Sequence, residues 1–209
     1  MGEKKWMDIS QPLSDNIGHW PGDTPFRYET AFTKETTGSV NIGRMMTSLH
    51  TGTHVDAPFH FDNDGERILD MDIGVFIGRA RVVDVSTADV IDAKLLENLQ
   101  IGDVERLLLK TAIPNIPERF PERIPLLAPD LAPFLAERGV VLLGVDVPSV
   151  DQLDSKDMET HHALYANGIS ILENLMLDKV DEGEYELIAL PLPLKDGDGS
   201  PVRAVIRPL

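Results

Sequence analysis

The segment His50-Thr51-Gly52-Thr53-His54-Val55-Asp56-Ala57-Pro58-Phe59-His60 constrains this chain more than any other feature. His50, His54, Asp56 and His60 stand at even offsets, so an extended backbone directs all four side chains to one face. A helix would scatter them at roughly 0°, 40°, 240° and 280° around its axis, and Gly52 and Pro58 oppose a helix further. The spacing therefore predicts a strand or extended loop. Imidazole nitrogen and carboxylate oxygen are the ligands a catalytic first-row divalent ion takes when thiolate is absent, and this chain has no cysteine. Three such ligands leave a position open, where water loses a proton near neutral pH and can attack a carbonyl carbon. For one isolated histidine, a hydrogen-bonded polar face is the better reading. Three of the chain's 6 histidines in one short segment, with an aspartate in phase, favour a metal and hydrolysis.

Composition narrows the partners. With 209 residues, 42% hydrophobic and 26% charged, the chain is expected to form one globular domain over 1–209. No apolar run approaches the roughly 20 residues of a membrane helix. The absence of cysteine removes disulfides and thiol nucleophiles. Lys+Arg 19 against Asp+Glu 35 gives a net charge of −16, which repels nucleic acid and anionic membrane surfaces; a solvated acidic surface is its ordinary reading. Met1–Asp8 has two lysines but no apolar core of a signal peptide, so a cytoplasmic location is expected.

β-branched and aliphatic runs predict strands at Trp6–Ser10, Val40–Leu49, Arg79–Ser86, Val104–Thr111, Val140–Val147, Tyr185–Pro191 and Val202–Arg207. Helices are predicted at Ala93–Leu99 behind an Asp92 cap, at Asp130–Arg138 before Gly139, at Met158–Asn167 before Gly168, and at Ile171–Leu177 behind a Ser170 cap. The chain to about Leu69 reads as strands and loops. Interleaved strands and helices indicate an α/β fold with a mixed sheet. Pro114, Pro117, Pro121 and Pro125 make Ile113–Leu127 an irregular excursion, either a functional loop or plain surface.

The pattern H-x-G-T-H-x-D-x-P-x-H resembles the signature of the cyclase family of metal-dependent hydrolases. Further matches lie at Asp8–Leu13, Trp20–Pro25, Gly144–Ser149 and His161–Glu173, so the resemblance runs along most of the chain. It implies a swivelling β/β/α fold, a homodimer and two zinc ions per subunit, although the donor types also accept Mn²⁺, Co²⁺ or Fe²⁺. It further implies that His50, His54 and Asp56 bind one metal, that Asp56 reaches the second, that His161 and Glu173 complete that second site with Glu173 bridging, and that His60 is the general acid/base. Two Zn²⁺ bring four positive charges, of which Asp56, Glu173 and a hydroxide cancel three, leaving a small excess to stabilise an oxyanion.

Sequence alone leaves the late residues less certain in place. His161 and Glu173 are expected on two neighbouring helices; adjacent His162 competes with His161, because helix neighbours point about 100° apart and one of them at most faces a metal. A solvated glutamate is the ordinary reading of Glu173 without the resemblance. Trp20-Pro21-Gly22-Asp23-Thr24-Pro25-Phe26 resembles members that hydrolyse N-formyl-L-kynurenine, which implies that Trp20 binds the substrate's aromatic ring; a packing tryptophan beside a Pro-Gly turn explains it equally on physical grounds. His19 reads as an incidental loop residue. The implied reaction is attack by metal-bound hydroxide on the formyl carbon, with His60 protonating the aniline nitrogen to release formate and kynurenine in tryptophan degradation. Within the same family, another amide, a cyclic imide or isatin is the alternative substrate. A metal-holding scaffold without activity has less support, because a structural site is normally closed by four protein ligands.

Overall fold

A computed structural model describes residues 5–209; the part of the leader expectation that rests on residues 1–4 lies outside them. In chain order the elements are β1 (Met7–Asp8), β2 (Arg27–Phe32), α1 (Lys34–Thr37), β3 (Ile42–Met46), β4 (His54–Asp56), 3-10 turns at Pro58–His60 and Ile73–Phe76, β5 (Ile77–Asp84), β6 (Val90–Ile91), α2 (Ala93–Asn98), β7 (Arg106–Lys110), β8 (Leu126–Leu127), α3 (Leu131–Ala136), β9 (Leu142–Val145), α4 (Glu159–Ala166), β10 (Ser170–Glu173), β11 (Gly183–Ile188), β12 (Gly199–Pro201) and β13 (Val205–Pro208). Nine strands form one mixed sheet in the order β1-β13-β11-β5-β7-β9-β10-β4-β12. Its centre, β5-β7-β9-β10, is parallel. The flanking strands β11, β13 and β1 on one side, and β4 and β12 on the other, pair antiparallel.

The centre is parallel because its strands are apolar on both faces. Leu107, Leu108 and Leu109 are all fully buried, Leu107 and Leu109 against the helical layer and Leu108 on the opposite face. Each such leucine contributes on the order of 2 kcal/mol by leaving water. The helical layer holds Leu96, Leu131, Leu135 and Leu164 from α2, α3 and α4. The other core joins Val55 of β4 to Leu187 of β11 and Ile206 of β13, strands from opposite ends of the sheet, so the sheet is curled around it. An α/β fold with a mixed sheet is what the sequence predicts.

The helix ends follow their expected signals. Asp92 caps α2 through the Leu95 N–H at 2.8 Å, and Gly139 and Gly168 follow α3 and α4 with φ of 78° and 70°. The excursion after Ala112 is irregular up to β8 and is pinned by Asn115, whose Oδ1 accepts the Leu177 and Asp178 N–H groups at 2.7 and 3.0 Å. The helix expected over Ile171–Leu177 is a misreading. Ser170–Glu173 is a strand, parallel to β9 on one side and antiparallel to β4 on the other, and pairing on both edges overrides a weak local helical pattern. Strands β2, β6, β8 and β12 and the one-turn α1 lie outside the predicted elements, and β10 stands where a helix is predicted. Among the described residues no helix is long and apolar enough to cross a membrane.

Candidate metal centre

Sheet register assembles the first part of the site. In the β4–β10 ladder His54 lies opposite Glu173 and Asp56 opposite Ile171. Side chains alternate along β4: Val55 enters the curled core, so His54 and Asp56 turn to the helical side, where Ile171 and Leu164 pack. Helix α4 delivers His161 from that side. His161 is 1% exposed, whereas His162 is exposed and lies with its ring 5.3 Å from Phe61, so the competition between the two resolves in favour of His161.

The four residues of the motif do not share one extended run, contrary to the spacing argument. Only His54–Asp56 is a strand; His50 lies in the preceding turn and His60 in a 3-10 turn. Gly52 at φ 70° breaks the strand on one side, and a Cβ there would come within 2.7 Å of Leu13 Cδ2. Pro58, first in the 3-10 turn, breaks it on the other. The turns nevertheless bring the rings together: His50 and His60 have centroids 3.8 Å apart, and His50 and His54 5.0 Å. Gly199 makes room for His50, since a Cβ there would meet His50 Cε1 at 2.8 Å.

Two carboxylates stand at the centre. Asp56 Oδ1 is 2.9 Å from His50 Nδ1 and 3.3 Å from His54 Nε2. Glu173 Oε2 is 3.4 Å from His54 Nε2, and its Oε1 accepts the Val150 N–H at 2.9 Å. His161 Nε2 lies 3.4 Å from Asp56 Oδ2 and 3.8 Å from Glu173 Oε1. Each imidazole is held at its outer nitrogen: His54 Nδ1 by the Gly52 carbonyl at 2.8 Å, His50 Nε2 by Asp198 Oδ2 at 3.1 Å, and His161 Nδ1 by Asp151 Oδ2 at 2.6 Å. That arrangement turns the inner nitrogens towards the carboxylates, as in metal sites where an outer partner orients each histidine.

The electrostatics of the cluster suit a cation. Burial opposes charge on His54 and His161, but the carboxylates of Asp56 and Glu173 beside the first, and of Asp151 and Asp56 beside the second, outweigh it and raise both to about 10. His50 rises to about 9 against its burial through Asp198 and Asp56. Burial alone would raise Asp56, yet the surrounding imidazoles hold it well below the ordinary carboxylate range. Glu173 is raised, first by burial and then by the charge of Asp56. Asp56 Oδ2 is buried and makes no hydrogen bond, with His161 Nε2 3.4 Å away, so a lone pair is left free for an ion. The donor atoms of His50, His54 and Asp56, and those of Asp56, His161 and Glu173, each lie within 4.8 Å of one another. Each of these two groups has donors that suit a divalent cation, and Asp56 belongs to both.

Glu173 occupies a strand and not the expected helix, and it reaches the cluster through the β4 register. Two carboxylates escaped the sequence reading. Asp198 precedes β12 and also lies 3.8 Å from His60 Nδ1; within Asp196-Gly197-Asp198-Gly199 it has the appearance of any turn aspartate. Asp151 follows β9 by several residues, and its proximity to His161 has no local signal. Trp20 packs edge-to-face on Phe120 of the proline-rich excursion, with centroids at 5.3 Å. His19 is a loop residue, its Nδ1 3.5 Å from the Ile17 carbonyl. A cavity of about 910 Å³ is lined by the N-terminal segment and residues such as Met176 and Val202, apart from the donors; a recess of about 210 Å³ adjoins Asp56, Phe61 and Tyr165. Donor geometry, and not cavity size, locates the chemistry.

The same geometry can be placed among known proteins. The chain matches the Cyclase family over residues 7–152. It is 58% identical to the kynurenine formamidase of Bacillus cereus and 57% identical to that of Bacillus anthracis, with 100% of both chains covered in each case. Its fold is similar to a predicted metal-dependent hydrolase from Bacillus stearothermophilus, with a TM-score of 0.83, 25% identity and 99% of each chain covered. Isatin hydrolase A from Labrenzia aggregata shares the fold with a TM-score of 0.82 at 22% identity, covering 98% of this chain and 93% of that one. With a matched segment that contains the whole His50–His60 motif and relatives alike from end to end, this chain belongs to the cyclase family.

Proposed function

We propose that this chain hydrolyses N-formyl-L-kynurenine to L-kynurenine and formate, a step of tryptophan degradation. The observation that carries this reading is the 58% identity, over the full length of both chains, to a relative named kynurenine formamidase. The donor cluster supports it. His50, His54 and Asp56 on one side, and Asp56, His161 and Glu173 on the other, would hold two divalent ions, zinc in the first instance. Such ions, when bound, supply Lewis acidity at a carbonyl oxygen and lower the pKa of water.

The remaining work falls to the chain's own side chains. His60 stands at the open edge of the cluster, 32% exposed in its side chain, with its ring against His50. From there it transfers a proton to the aniline nitrogen as the C–N bond breaks, which is needed because an anilide anion is a poor leaving group. Asp198 holds His50 by one nitrogen and borders His60, keeping the two rings in register. Trp20, braced by Phe120, offers a face for the substrate's aromatic ring.

Formate release, measured before chelation, after it and after metal return, with metal analysis on the same sample, tests this reading. Undiminished turnover in demonstrably metal-free protein would sink it. Ring opening of isatin or a cyclic imide is a second reading, favoured by the shared fold; it gains if those substrates are turned over and N-formylkynurenine is not. We also propose a homodimer in the cytoplasm. Every residue of the β2–β3 hairpin is exposed, including Tyr28, Phe32, Met45 and Met46 at 56–59%, and a lone two-stranded hairpin is marginal in water without a partner surface. Light scattering that returns the monomer mass at micromolar concentration contradicts the dimer.

A further inference from the structure

Helix α4 begins without a local cap. Its N-cap residue, Met158, sits in the left-handed region at φ 49°, ψ 42°, and makes no side-chain capping bond. The carboxylate of Asp151, seven residues earlier in sequence, does that work from outside the helix. Its Oδ1 accepts the Thr160 N–H at 3.0 Å and its Oδ2 accepts the His161 N–H at 3.0 Å. The same Oδ2 takes the His161 ring proton at Nδ1, at 2.6 Å. One buried carboxylate, 6% exposed, therefore fixes the backbone and the ring of a single histidine.

The segment around Asp151 is itself tied to the site. Ser149 Oγ accepts the Asp151 N–H at 3.1 Å, and the intervening Val150 N–H donates to Glu173 Oε1 at 2.9 Å. Residues 149–151 thus orient both His161 and Glu173. The other two imidazoles have different supports: His54 leans on a neutral carbonyl, and His50 on Asp198, whose side chain is 40% exposed. A charged partner on one imidazole nitrogen increases the basicity of the other, and burial removes the water that would weaken the effect.

We infer that Asp151 is the positioning residue of the Asp56–His161–Glu173 site, setting its metal affinity separately from that of His50–His54–Asp56; this rests on the two-cation reading above. With Nδ1 held by Asp151, Nε2 faces Asp56 and Glu173, and His161 meets an ion without reorienting.

The test is Zn²⁺ titration of chelator-stripped protein against a chromophoric chelator, comparing the natural chain with Asp151→Asn. The natural chain is expected to bind two equivalents. In the variant one equivalent keeps its affinity, and the other weakens by about 10- to 100-fold, the range typical of a lost outer partner. In the zinc-loaded natural chain the His161 Nδ1–H proton resonates far downfield, and it moves upfield in the variant, a change that a helix-capping role alone would not produce. A folded Asp151→Asn that holds both ions with unchanged affinity overturns the assignment while leaving the two-cation reading intact. A natural chain that binds fewer than two equivalents overturns that reading and the assignment with it. If Asp151→Asn does not fold, Asp151→Glu carries the test: displacing the carboxylate by one methylene must shift one affinity alone, and two unchanged affinities refute the inference.

Discussion

The two halves of the metal centre differ in how they are built. Asp56, His161 and Glu173 are 1–3% exposed and come from two paired strands and a helix packed over them. His50, His60 and Asp198 have side chains 16%, 32% and 40% exposed and come from turns. The inner half is rigid because ladder register and helix packing determine it, which suits the holding of charge. The outer half keeps access to water and substrate, which suits proton transfer, and its alignment depends on side-chain contacts such as the His50–His60 stack. The lesson is that one side of the candidate site is scaffolded by register and packing, whereas the other is looser and open to solvent.

The largest effect is expected where the halves join. Asp56→Asn removes the one donor common to both candidate sites, so it should abolish binding of both ions and all measurable formate release; retention of either ion by metal analysis would break the proposed sharing. His60→Ala should lower kcat by about 10²- to 10⁴-fold while metal content stays at two equivalents, because the residue is assigned to proton transfer. Metal loss in that variant would move His60 into the ligand set, a possibility its neighbourhood to His50 and Asp198 makes worth measuring. Asp198→Asn is expected to weaken the His50-containing site by about 10-fold and to leave the inner one unchanged, as read by metal titration.

The mildest probe is pH. In metal-free protein His50, His54 and His161 are raised to about 9, 10 and 10. The folded state then binds more protons than the unfolded chain above about pH 6.5, so stability falls as pH rises. The contribution is full below about pH 6.5 and is lost as pH passes through 9 to 10. Thermal melts of chelated protein should therefore decline over that window, whereas zinc-loaded protein should decline less, because the ion replaces the protons. Parallel curves with and without zinc would argue against ions at these imidazoles.

Much of the site was legible in the sequence because its core is local. His50, His54 and Asp56 lie within seven residues and carry chemistry that few other arrangements use, and His60 follows in the same segment. Even spacing predicts a strand or extended loop, and the convergence comes from a three-residue strand with a turn on either side. Glu173 was named but placed on the wrong element, since pairing of β10 with both β9 and β4 is invisible in a short run such as Ser170-Ile171-Leu172-Glu173. Asp151 and Asp198 were missed for a related reason: an isolated aspartate in a loop becomes a partner of histidine only through contacts 10 and 148 residues away in the chain.

By itself the sequence determined the donor types, the exclusion of thiolate chemistry, the apolar runs that make a parallel sheet centre, and the helix ends at Asp92, Gly139 and Gly168. These depend on side-chain chemistry, hydrophobic pattern and local backbone preference, all readable within a few residues. Only the tertiary structure decided that Glu173 faces His54, that His161 and not His162 turns inward, and that Asp151 and Asp198 hold the outer nitrogens. Those facts follow from strand register and helix packing, which are set by burying apolar surface across the whole chain and leave no mark at the residues they bring together.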